Sequence, residues 1–150
     1  MKKTTIISAL GGTVLLAAAT LAFTAGRSEA TEVTLYKNPQ CGCCEEYADY
    51  LRDNGFEVTV KATHELVEMS DQAGVPGLLH GCHLSQVEGY AVSGHVPIDT
   101  LRRLLAERPD IKGISLPGMP QGSPGMSGIK DRPFKIYQFG NGEPRVYAVE

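Results

Sequence analysis

Residues 41–44 read Cys-Gly-Cys-Cys, three thiols in four positions, set between a strand-like pattern and a helix-like one. Upstream, Glu32-Val33-Thr34-Leu35-Tyr36 alternates as a half-buried strand does, and Asn38-Pro39 breaks it. Downstream, Cys44, Tyr47, Ala48 and Leu51 recur at helical spacing through Asn54, and Gly55 is the stop signal. A strand that hands thiols to a helix N-terminus opens an α/β sheet. Ligand sites in such sheets lie outside the carboxyl ends of the strands, and a helix dipole there favours thiolate over thiol.

The remaining pattern extends that start. Phe56 to Val60 alternates as a second strand, and His64 to Ala73 predicts a short helix with Leu66, Val67 and Met69 inward. Pro97 to Glu107 carries Ile98, Leu101, Leu104 and Leu105, an amphipathic helix closed by Pro109. Between these helices, Cys82 to His95 reads as a hairpin turning at Glu88-Gly89. With Val87 opposite Tyr90, Cys82 falls opposite His95; Ser85, Val87, Tyr90 and Val92 share one face and Leu84 takes the other. Right-handed crossovers then set both parallel strands beside the hairpin, a thioredoxin-like α/β mixed sheet flanked by helices. Five glycines and three prolines between Gly113 and Gly128 exclude regular structure there and predict a Gly/Pro/Met-rich loop. Phe134 to Phe139 and Arg145 to Val149 predict a C-terminal β-hairpin around Gly140-Asn141-Gly142, and no second domain is expected.

The N-terminus is of another kind. Lys2 and Lys3, an apolar run from Ile6 to Phe23, and Ser28-Glu29-Ala30 form a secretory signal peptide over residues 1–30, cut before Thr31. An apolar run of 18 residues is near the length that spans a bilayer, but its Ala-rich core and Ser-x-Ala end point to cleavage, with no membrane span left afterwards. The mature 120 residues hold 11 basic against 16 acidic side chains, enough apolar residues for one small domain, and no basic surface for nucleic acid. All four cysteines lie in that mature part, where export permits disulfides.

The hairpin register brings Cys82, His83 and His95 toward the three-cysteine loop. Three chemistries suit such a cluster. Cys41 and Cys44 form a CxxC for thiol–disulfide exchange, although Cys43 and Cys82 are then hazards that trap mixed disulfides. The four could instead form two structural bonds, Cys41–Cys44 with Cys43–Cys82. Thiolates and imidazoles together also select Cu(I) or Zn(II) over hard cations, which accounts for the two extra thiols. Zinc would be satisfied by four such donors, whereas Met119 and Met126, seven apart in the Gly/Pro loop, are thioether donors for Cu(I). Bridging thiolates would allow more than one copper. His64 and His80 are weaker candidates, the first exposed at a helix start and the second in an irregular stretch.

Tyr36-Lys37-Asn38-Pro39-x-Cys41-Gly42-Cys43-Cys44, Gly74-Val75-Pro76, Cys82-His83, Gly89-Tyr90, Gly94-His95-Val96-Pro97 and the segment from Pro117 to Met126 form one combined signature. It resembles that of the CopG-type periplasmic copper-resistance proteins, which are thioredoxin-like and unrelated to the DNA-binding repressors of the same name. The resemblance implies copper handling in the periplasm, often beside efflux components. It also implies copper ligation by Cys41, Cys43, Cys44 and Cys82, with nitrogen from His83 and His95. Two positions depart from the family pattern: Tyr47 stands where Trp is common, and Leu84 where Thr is usual.

Overall fold

The computed structural model describes residues 30–150, so the signal-peptide reading falls outside the described residues except at Ala30. Seven strands and three helices follow in the order β1 (Glu32–Lys37), α1 (Gly42–Asp53), β2 (Glu57–Ala62), α2 (Leu66–Gln72), β3 (His83–Val87), β4 (Tyr90–Ser93), α3 (Ile98–Glu107), β5 (Gly113–Ser115), β6 (Lys135–Gly140) and β7 (Gly142–Val149). A single 3₁₀ turn, Gly77–Leu79, precedes β3. The strands form one mixed sheet in the order β2-β1-β3-β4-β5-β6-β7. β1 runs parallel to β2 and antiparallel to β3, which is the βαβ unit beside a hairpin that the sequence pattern predicts.

Alternation along the strands sorts side chains into two layers. Val33, Leu35, Val58, Val87, Tyr90, Val92 and Ile114 face α1 and α3, packing on Tyr47, Ala48, Leu51, Leu101 and Leu104. Leu84, Ala91 and Phe139 face the other way, where Val75, Leu79, Leu66 and Met69 cover them. The β3–β4 turn places Glu88 at φ +43° and Gly89 at φ +86°, the two positive angles of a type I′ turn. That turn sets Val87 opposite Tyr90 and Leu84 opposite Ser93, as the sequence register requires.

Two expectations need correction. Val67 is not inward: it is 66% exposed. Leu66, Met69, Ser70 and Ala73 form the stripe at i, i+3, i+4 and i+7, and one residue along the helix turns Val67 about 100° away from it. Regular structure also reaches into the Gly/Pro-rich segment, because Gly113–Ser115 pairs parallel with β4 and antiparallel with β6. Glycine is required there, since a Cβ on Gly113 would meet the Ala91 carbonyl and the Phe139 ring. Among the described residues no helix is long and apolar enough to cross a membrane.

Candidate metal centre

The carboxyl end of β1 turns into α1 over Asn38, whose side-chain oxygen accepts the Gln40 N–H at 3.0 Å and whose carbonyl accepts the Cys41 N–H at 3.0 Å. Lys37 ends β1 on the inward face, two residues beyond Leu35, and is buried. Its ammonium donates to the carbonyls of Asn38, Pro39 and Cys41 at 3.2–3.4 Å and pairs with Glu45 at 2.9 Å. The loop is thus held from beneath by one cation. The inward alternation of Val33, Leu35 and Lys37 would have identified it in the sequence, but only as a position and not as a role.

The opposite wall comes from the hairpin. Cys82 precedes β3 and His95 follows β4, and the type I′ register brings Cys82 Sγ to 3.0 Å from His95 Nε2. The Nδ1–H of His95 donates to the Pro124 carbonyl at 2.5 Å. That bond fixes the tautomer and leaves the Nε2 lone pair facing the sulfur. His83 Nδ1 lies 3.7 Å from the same sulfur. Its ring is stacked on Tyr47 at 4.6 Å between centroids and stands edge-on to His95 at 5.1 Å. The Tyr47 hydroxyl in turn donates to the Val96 carbonyl at 2.8 Å, so α1 locks the turn after β4. Leu84 points to the other face of the sheet, where a hydroxyl in its place would not reach these donors.

One ligand atom from each of Cys41, Cys43, Cys44 and Cys82 lies within 4.8 Å of the others, and the same holds for Cys44, Cys82, His83 and His95. Cys44 and Cys82 belong to both groups. Of the pairings the sequence left open, Cys41 and Cys44 are joined in a disulfide, while Cys43 and Cys82 are free thiols. The second structural bond, Cys43–Cys82, is not made. Cys43 Sγ sits 3.5 Å from Cys41 Sγ, a hydrogen-bonding distance for a thiol facing a disulfide sulfur.

Burial sets the protonation of the site. The Cys82 thiol is pushed up to about 12 by burial and by the neighbouring Cys43 thiol, so it is protonated at neutral pH and donates to His95. His83 is pushed down to about 3 by burial first and by His95 second, and His95 is also lowered by burial. Both imidazoles are neutral and keep a lone pair for a metal. His83 Nε2 is buried without a hydrogen-bond partner, one of two such side-chain atoms among the described residues, the other being Ser85 Oγ. Such orphans are rare in folded proteins, while the ring's other nitrogen, Nδ1, is the one that faces the Cys82 sulfur at 3.7 Å, a thiol–imidazole pairing that suits a soft metal.

The Gly/Pro/Met segment straps this cluster. Besides Pro124, Gly125 lies against the first turn of α1 at φ +75°, where a Cβ would stand 2.7 Å from the Tyr47 nitrogen and 3.0 Å from the Cys43 carbonyl. The Met126 N–H donates to the Ser123 carbonyl at 2.8 Å, and its side chain lines a hollow together with Cys43 and Glu46. Met119 is not brought there; it is exposed beside Pro120, Gln121, Asp131 and Arg132. His80 bonds the Val75 carbonyl and Asp71, away from the cysteines, and His64 is exposed. The roles of Pro124 and Gly125 were not legible in the sequence, since a backbone carbonyl and an absent Cβ leave no side-chain signal.

A family model described as protein of unknown function, DUF411, matches residues 79–126, which span the hairpin, α3 and the strap. Two solved structures of the copper resistance protein CopG, called form 2 and form 1, are each 33% identical to this chain and cover 81% of it. They are covered over 99% and 98% of their own length, with TM-scores of 0.74 and 0.73. No curated protein matches.

Proposed function

The chain belongs to the CopG-type copper-resistance family, and from that premise we propose that it is an exported, periplasmic protein that sequesters Cu(I) or interconverts Cu(I) and Cu(II) in copper resistance. The observation that carries the reading is the sharing of Cys44 and Cys82 between two donor groups, each drawn within 4.8 Å. Two sulfurs common to an all-cysteine set and a cysteine–imidazole set suit bridging thiolates once the Cys41–Cys44 bond is reduced, and hence more than one Cu(I). Cys41, Cys43, Cys44 and Cys82 would supply sulfur, and His83 and His95 nitrogen, with the Pro124 carbonyl holding the His95 ring.

The Cys41–Cys44 pair supports the redox half of the proposal. Oxidation of those two thiols to the disulfide releases two electrons and two protons. The electrons reduce two Cu(II) to two Cu(I), and the protons pass to solvent. An external dithiol reductant reopens the bond by exchange. With the bond closed, two of the four sulfurs are withdrawn from ligation, so the redox state of the pair sets copper capacity. Efflux components are the partners proposed for the released ion.

Anaerobic titration of the fully reduced protein with Cu(I) against a competing chelator tests this. Tight uptake of copper that drops on Cys82→Ser is expected. An affinity no better than about micromolar, or no loss in C82S, overturns it. The disulfide also favours a second reading, a thiol–disulfide oxidoreductase using Cys41 and Cys44. That reading requires turnover of a disulfide substrate, and Cys43 beside Cys41 works against it.

A further inference from the structure

The donors of the cluster are unequally open. Cys44, His83 and His95 expose none of their surface. Cys82 and Cys43, the two thiols left free by the disulfide, are both half-buried, and Cys43 is the one beneath Gly125 of the strap. It lines a surface hollow of about 500 Å³ with Glu46, Gly125, Met126 and Ser127. Met126 is the other soft donor on that hollow, and it belongs to neither apolar core.

Its position is built. Pro124 is tied to His95, Gly125 is seated on the backbone of Cys43 and Tyr47, and the Met126 N–H is held by the Ser123 carbonyl. Two consecutive residues therefore fasten the strap to the cluster, and a turn within the strap sets Met126 on the hollow that Cys43 lines. Exposed Glu46 adds a negative charge to the rim, which attracts a cation.

Resting on the copper-binding reading above, we propose that the Cys43–Met126 hollow is the port through which Cu(I) is exchanged between the buried cluster and an external carrier that presents thioether or thiolate ligands. A thioether is suited to transit: it is neutral, binds Cu(I) without losing a proton, and rejects hard cations. Copper passes by ligand exchange from the carrier to Met126 sulfur and then to Cys43 sulfur. The Cys43 proton leaves to solvent as the Cu–S bond forms, and no electron changes hands.

The test is the anaerobic rate at which reduced protein takes Cu(I) from its bicinchoninate complex, in wild type, Met126→Leu and Met126→Ala. Leucine conserves the volume of the side chain, so the fold is kept even if alanine loosens the strap. Loading at least about tenfold slower in both variants, with wild-type copper content at equilibrium, is expected. A wild-type rate in M126L makes the methionine apolar filler, and a lower final copper content makes it a resident ligand; either result overturns the port. Failure of the wild type to take Cu(I) refutes the copper-binding reading instead.

Discussion

Replacing His83 with leucine separates what the imidazole costs the fold from what it supplies to the site. His83 is fully buried, and its pKa is lowered to about 3 by burial first and His95 second, against a smaller opposing pull from the Gly94 backbone; its Nε2 makes no well-formed hydrogen bond. The groups packed around it are Tyr47 from α1, His95 from the turn after β4, and Cys82, with Lys37 its partner across the β1–β3 ladder. None of these is a carboxylate that could stabilise an imidazolium. A histidine held neutral in the fold but free to protonate when unfolded contributes stability present above its unfolded value of 6.5 and lost as pH falls toward 3. Between pH 7.5 and 5.5 that loss is about 1.4 kcal/mol from His83 alone. Urea unfolding of the metal-free, disulfide-closed protein at the two pH values should show it, and H83L should remove it from the difference. At pH 7.5 the variant also sheds an unpaired buried nitrogen worth roughly 1–3 kcal/mol, which offsets the imperfect fit of leucine against Tyr47. The variant should thus be no less stable than wild type at pH 5.5 while binding copper less well. An unchanged pH slope in H83L would refute the assignment of a neutral, unpartnered His83.

Two further perturbations probe the frame around the site. Gly125→Ala forces a Cβ into the backbone of α1 at a left-handed φ and should cost about 1–3 kcal/mol in urea unfolding. It should also weaken Cu(I) binding, because the same strap holds His95 through Pro124; unaltered copper affinity in a destabilised G125A would separate the strap from the site. Tyr47→Phe keeps the ring on His83 but leaves the Val96 carbonyl unpaired, for a loss of about 1–2 kcal/mol and a lower thermal midpoint, and an unchanged midpoint would show that water replaces the bond.

Local chemistry in the chain was enough for the skeleton of the site. A strand broken at Asn38-Pro39, thiols at the start of a helix and a two-residue turn at Glu88-Gly89 are short-range features. Because the side-chain period in a strand is two, the turn alone dictates that Cys82 meets His95 thirteen residues later. The α/β mixed sheet and the C-terminal hairpin were legible for the same reason. β5 was not, since three residues become a strand only when β4 and β6 supply both neighbours. Nor could periodicity place Val67 outside, because its helix is only seven residues long and a short apolar run does not define a stripe.

The sequence by itself determined the donor inventory: four thiols, two facing imidazoles and a loop carrying two methionines. Tertiary structure decided which of them meet. It joined Cys41 to Cys44, left Cys43 and Cys82 free, carried Met126 to the cluster and Met119 away from it. It also enlisted Lys37, Pro124 and Gly125, whose contributions are a buried charge, a carbonyl and a missing Cβ. Periodic patterns report which face a side chain takes, but proximity across a loop is set by backbone hydrogen bonds and steric fit between distant segments, and those carry no local signature.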